Sequence, residues 1–210
     1  MFKFILSFFI LFYSLSFSFT SSLYKKLHLE NKMEYSVFKN AMKGTYKLKD
    51  NNYQFLTIID FTKPSTKPRF SVIDLKNKKL LYYTYVTHGK NSGKVIPIMF
   101  SNTLNSFQSS LGFFITDSKP YKGEYGYSLR LKGLENKFNS NAYKRNIVIH
   151  GAEYATKKYI DQIGFLGRSL GCPAIPSELS TEVIDLLSNN SIIFIAGNDE
   201  KYLKESTFIN

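Results

Sequence analysis

Cysteine is nearly missing from this chain: Cys172 is the only one among 210 residues. One thiol cannot close an internal disulfide, so the fold must rest on its apolar core, and the thiol is either dispensable or kept for its reactivity. Histidine is scarce too. His28, His88 and His150 lack the short paired spacing of zinc ligands, so no metal site is expected. Acid is short, with 16 Asp and Glu against 28 Lys and Arg, a formal charge of +12. Such a chain is drawn to polyanions. The lysines are scattered, however, as in Lys25, Lys26, Lys78, Lys79, Lys157 and Lys158, and no nucleic-acid-binding motif accompanies them. No partner nucleic acid is therefore expected, and much of the charge reads as a solvated surface. A long hydrophobic run is also lacking. The longest, Phe4–Phe19, is interrupted by serines and falls short of the roughly 20 residues that span a bilayer.

That run is preceded by Lys3 and followed by Thr20, Ser21 and Ser22, the pattern of a secretory signal with cleavage near Thr20. Export to the periplasm or cell envelope is expected, with membrane association through the N-terminus if the signal stays attached. No cysteine near residue 20 offers a lipid anchor. Cleavage would remove Lys3 alone and lower the charge from +12 to +11. In an exported protein the polyanions within reach are the cell wall and anionic headgroups.

Four parts are expected: a signal over 1–20, a helical segment over 21–50, a catalytic domain over 51–197 and a polar, frayed tail over 198–210. The spacing of Leu29, Met33, Val37, Ala41 and Met42 predicts a helix from Leu23 to Lys43, ended by Gly44. From Tyr53 the pattern turns to strands: Phe55–Phe61, Arg69–Leu75, Lys79–Thr87, Gly112–Thr116, Tyr125–Leu131, Asn146–His150 and Ser191–Ala196. Lys76-Asn77-Lys78 reads as a hairpin turn. Ser177–Leu187 reads as a helix capped by Ser177 or Ser180. Strands joined by hairpins and irregular loops favour a mainly β fold, a mixed sheet in sandwich or barrel form with peripheral helices. A monomer is expected.

The chemistry gathers around Cys172. His150 closes the apolar run Ile147-Val148-Ile149 and stands 22 positions before the thiol. An imidazole can generate the thiolate at neutral pH, and the Gly151 carbonyl can orient its ring. Acyl transfer also needs oxyanion donors. Pro173 has no N–H, so the amides of Leu170, Gly171 and Cys172 are the candidates. Read from residues alone, an inert buried cysteine beside an unrelated histidine stays open.

The run Val148-Ile149-His150-Gly151-Ala152 with Gly167-Arg168-Ser169-Leu170-Gly171-Cys172-Pro173-Ala174 resembles the YkuD-like murein L,D-transpeptidase catalytic domain. Val86-Thr87-His88-Gly89-Lys90-Asn91-Ser92-Gly93, Phe100-Ser101-Asn102 and Gln108-Ser109-Ser110-Leu111-Gly112 extend the likeness from about Phe55 to Pro176. The resemblance implies a YkuD-like mixed sheet, Cys172 as nucleophile, His150 as base, Gly151 as its orienting carbonyl, and oxyanion amides at Leu170 and Gly171. It implies peptidoglycan stem peptides as partners and no cofactor. Leu170 stands where the wider family has a second histidine, the arginine usual after the cysteine is absent, and the His–Cys gap is longer. Arg168 is the expected substitute for that arginine, with His88, Ser169 and Ser110 as further substrate-binding candidates. The implied reaction is transpeptidation to 3→3 cross-links, sensitive to carbapenems. Carboxypeptidase or endopeptidase trimming by the same thiol, a non-catalytic wall-binding role and a redox-sensing thiol stand as alternatives.

Overall fold

A computed structural model describes residues 19–48, 53–188 and 191–210. The expected signal lies outside them except for its last two residues. Nine strands form one sheet: β1 (Phe55–Asp60), β2 (Phe70–Asp74), β3 (Lys79–Thr84), β4 (Gly112–Thr116), β5 (Tyr121–Gly123), β6 (Gly126–Gly133), β7 (Val148–Ala152), β8 (Ala174–Pro176) and β9 (Ile192–Ala196). The order is β3-β2-β1-β9-β4-β6-β7-β8, with β5 flanking β6. Most pairs are antiparallel; β1 with β9 and β7 with β8 are parallel.

The central strands bury both faces, so they read as nearly continuous apolar runs. Ile192–Ala196 is buried throughout, and β1 is buried from Leu56 to Asp60. Phe113 and Phe194 stack at 4.5 Å in the middle of this core. The β2–β3 hairpin turns where expected, with Asn77 N–H and Nδ2–H donating to the Asp74 carboxylate. The two ends of the sheet meet. Beyond β3 the chain bends so that Thr87 N–H donates to Ala174 O at 2.9 Å, and Ser169 N–H donates to His88 O at 3.0 Å. These bonds tie the segment after β3 to the outer edge of β8 and give the sheet a barrel-like closure that leaves less edge unpaired.

Outside the sheet, besides helical backbone over 19–26, the described residues form α1 (Tyr35–Lys47), α2 (Lys157–Ile163), α3 (Ser177–Leu187) and α4 (Glu200–Glu205). The expected helix from Leu23 to Lys43 is two pieces. Helical backbone covers 19–26, and His28 then adopts a left-handed conformation (φ 51°) that ends it. This turn lets Leu27, Leu29 and Met33 all reach the core. Gly44 does not stop α1. A Cβ there would stand 2.1 Å from Phe113 Cζ, so the glycine lets the helix approach the sheet, and the helix runs on to Lys47.

The tail is not frayed. Tyr202 of α4 is buried, and its hydroxyl and that of Ser206 donate to the buried Glu135 carboxylate, which also accepts from Phe113 N–H. Helix α3 has the expected bounds, but its N-cap is Pro176, and Ser180 Oγ donates instead to Ser177 O.

Candidate active site

Strand β7 supplies the histidine. Alternation sends Ile149 into the core and puts Val148 and His150 on the opposite face. His150 is 3 % exposed. A carbonyl only accepts, so the 3.0 Å contact between His150 Nδ1 and Gly151 O is an Nδ1–H donation. That fixes the tautomer and leaves the lone pair on Nε2. Burial lowers the imidazole pKa, partly opposed by the Gly151 carbonyl, so the ring is neutral at pH 7. Tyr125 stacks on it at 5.0 Å. Gly151 is needed for packing as well: a Cβ there would be 2.4 Å from Ser180 Oγ of α3.

Cys172 sits two residues before Ala174, the register partner of His150 in β8. It therefore lies alongside Val148, whose N–H donates to Sγ at 3.5 Å, while the thiol donates to Asn146 O at 3.6 Å. Among the described residues no hydrogen bond joins the thiol to the imidazole. Catalytic contacts are often long before substrate binds. Burial pushes the Cys172 thiol up to about 11, offset in part by the Val148 N–H and the Arg145 cation. The resting pair is thus a neutral thiol and a neutral imidazole.

The amides ahead of Cys172 divide. Gly171 N–H donates to Ser169 Oγ at 3.1 Å, and Ser169 Oγ–H donates to Cys172 O at 2.6 Å. The Gly171 amide, expected as an oxyanion donor, is therefore committed to a turn. The Leu170 and Cys172 amides have no acceptor among the described residues. Gly171 serves by its shape. Its φ of 124° favours glycine, and a Cβ would stand 2.9 Å from Gln108 O.

Cys172 opens on a cleft of about 210 Å³ whose walls include Leu104, Phe107, Tyr125, Arg145 and Leu170. The other residues expected to bind substrate lie elsewhere. His88 is fully buried; its Nδ1 accepts from Arg69 Nη2 at 2.7 Å, and its Nε2–H donates to Gly93 O at 3.1 Å. Burial and the Arg69 charge hold its pKa down to about 4, so it is a neutral framework residue with no nitrogen left for substrate. Ser110 accepts from Arg145 Nη1 and donates to Ser101 O, behind the cleft wall. Ser169 is spent on the turn. Arg168 donates to Lys90 O and Gly93 O outside the cleft lining.

The cation that does face the thiol is Arg145, which the sequence reading missed. Its two Nη atoms donate to Ser101 O, Ser110 Oγ, Ser106 Oγ and Gln108 O. All four acceptors are neutral, so the positive charge is held in place without being cancelled. In a chain with 28 basic residues, Lys144-Arg145 carries no distinguishing local signal.

No curated protein matches the chain. Among solved structures it is similar to an L,D-transpeptidase from Mycobacterium smegmatis (13% identity, 69% of this chain and 59% of that one, TM-score 0.42). It is also similar to L,D-transpeptidase 1 from Mycobacterium tuberculosis (12%, 69% and 62%, TM-score 0.38) and to one from Stackebrandtia nassauensis (11%, 86% and 77%, TM-score 0.42). The chain thus spans about three-fifths of the first two relatives. The L,D-transpeptidase catalytic domain family matches residues 29–196, which takes in every strand, His150 and Cys172. The chain belongs to the L,D-transpeptidase catalytic domain family of the YkuD type.

Proposed function

We propose that the protein is a peptidoglycan L,D-transpeptidase that works through a Cys172 thioester. The observation that carries this reading is the parallel β7–β8 register. It sets a buried histidine, with its Nε2 lone pair retained, two residues along the strand from Val148, beside which lies the only thiol, and that thiol opens on a cleft bordered by unpaired amides.

Cys172 attacks the carbonyl of the L-centre-to-D-Ala bond in a tetrapeptide stem while His150 Nε2 takes the thiol proton. The C–N bond breaks, the proton goes to the departing D-alanine, and the acyl group stays on sulfur. An amine from a neighbouring stem then attacks the thioester, loses its proton to His150 and releases the thiol, leaving a 3→3 cross-link. Peptide-bond energy is conserved in the thioester, so the step needs no nucleotide. The Leu170 and Cys172 amides supply donors for the tetrahedral oxyanion. The fixed charge of Arg145 favours the thiolate and attracts a stem carboxylate by charge alone, since its Nη hydrogens are already donated to the protein. Export through the 1–20 signal would bring the protein, as a monomer, to its wall substrate, and carbapenems would acylate Cys172.

The test is muropeptide profiling and intact mass after incubating wild type and Cys172→Ala with tetrapeptide-rich peptidoglycan. New 3→3 dimers and an acyl-enzyme, both absent in the variant, are expected. Trimmed stems without dimers would make it a hydrolase, and no product from either protein would overturn the reading.

A further inference from the structure

The loop running from Lys90 to Leu104 exposes more apolar surface than a solvated loop should. Ile96 is 44 % exposed, Ile98 68 %, Met99 50 % and Leu104 50 %. These side chains stand on an anchored backbone. Ile98 and Met99 N–H both donate to Ser92 O, Val95 O accepts from Ser65 N–H, and Asn91 N–H donates to Phe107 O. The apolar groups are therefore held outward rather than left there by slack.

Cations ring the base of the loop. Lys90 Nζ lies 4.3 Å from the Phe107 ring centroid, Lys94 Nζ 5.2 Å from that of Phe165, and Arg168 reaches the Lys90 and Gly93 carbonyls. No Asp or Glu occurs from Leu75 to Thr116. An apolar tip above a collar of Lys90, Lys94 and Arg168, with Glu124 the one acid lining the adjoining cleft, matches the two layers of an anionic lipid surface, acyl chains below charged headgroups. Among the described residues no helix is long and apolar enough to cross a membrane, so contact through these residues would be with the surface.

We propose that the Ile96–Met99 tip docks on an anionic bilayer surface, with Lys90, Lys94 and Arg168 at the headgroups. The same loop continues into Leu104 and Phe107 at the cleft wall, so docking turns the mouth of the cleft toward the membrane. This proposal is independent of the reaction that the cleft performs.

The chain has no tryptophan, so one introduced by Ile98→Trp reports on the loop alone, whatever the N-terminal segment does. The full chain is mixed with phosphatidylglycerol vesicles, with and without brominated acyl chains. The emission is expected to shift to the blue and to be quenched at least twofold by the bromolipid, with both effects lost in phosphatidylcholine vesicles and weakened by salt. Leu81→Trp, exposed near the hairpin end of β3, should show neither effect. Unchanged emission from Ile98→Trp, equal response in neutral vesicles, equal response from Leu81→Trp, or a shift with purified peptidoglycan but not with vesicles would each overturn the proposal.

Discussion

Replacing Arg145 by glutamine tests the electrostatics of the candidate site most directly. Burial pushes the Cys172 thiol up to about 11, so holding the thiolate at pH 7 costs roughly 5 kcal/mol in the resting protein. Arg145 opposes that cost. Its four bonds go to neutral acceptors, and it has no acidic partner among the described residues, so the thiol meets an uncancelled charge. A charge beside an ionising group moves its pKa by about 1–3, and the lower end applies to a half-buried guanidinium. Arg145→Gln should therefore lower the thiolate population about tenfold, or about 1.4 kcal/mol. Arg145→Lys keeps the charge and should lose less than about threefold, well short of the tenfold step carried by the charge itself. The assay is the rate of Cys172 alkylation by iodoacetamide from pH 6 to 9, followed by intact mass, with thermal melts as a check on folding. The wild-type rate should rise tenfold per pH unit with no plateau, and the Arg145→Gln line should lie parallel and about tenfold below. A wild-type plateau near pH 7 would mean a resting thiolate and would refute the neutral pair. A folded Arg145→Gln that reacts like wild type would refute the role given to the cation.

Two further outcomes follow from packing and burial. Gly151→Ala forces a Cβ to within 2.4 Å of Ser180 Oγ and should cost about 1–3 kcal/mol of stability together with most of the muropeptide activity; adding Ser180→Gly should recover much of both, read as a double-mutant cycle. His88 has its pKa held down to about 4 while the unfolded side chain titrates near 6.5, so the unfolded state binds the extra proton and stability falls as pH drops between those values; urea unfolding should lose about 2 kcal/mol from pH 6.5 to 5, and His88→Asn should abolish that slope.

Much of the fold is legible locally. Strand β4 and helix α3 fall on their expected bounds, and the β2–β3 hairpin turns where Lys76-Asn77-Lys78 marks it. Strand β8 was not legible, since its three residues, Ala174–Pro176, follow one proline and end on another, too short a run to carry a strand pattern. The crossover was not legible either. The long His–Cys gap holds a short 3₁₀ turn at Glu153–Ala155 and then α2, because a parallel β7–β8 pair needs a connection of about a dozen residues. Tyr202 and Ser206 looked like a polar tail because their acceptor, Glu135, lies some 70 residues away in the chain.

By itself the sequence determined the strand-rich core, the single thiol and the family that its surrounding motif indicates, because these depend on residue type and on short-range pattern. Only the tertiary structure decided how the neighbouring groups divide their work. It gave the Gly171 amide to a turn, closed His88 in against Arg69, and placed Arg145 rather than Arg168 at the cleft. Each of those outcomes depends on hydrogen bonds and burial, and those to His88 and Arg145 depend on parts of the chain that meet only when the sheet closes on itself.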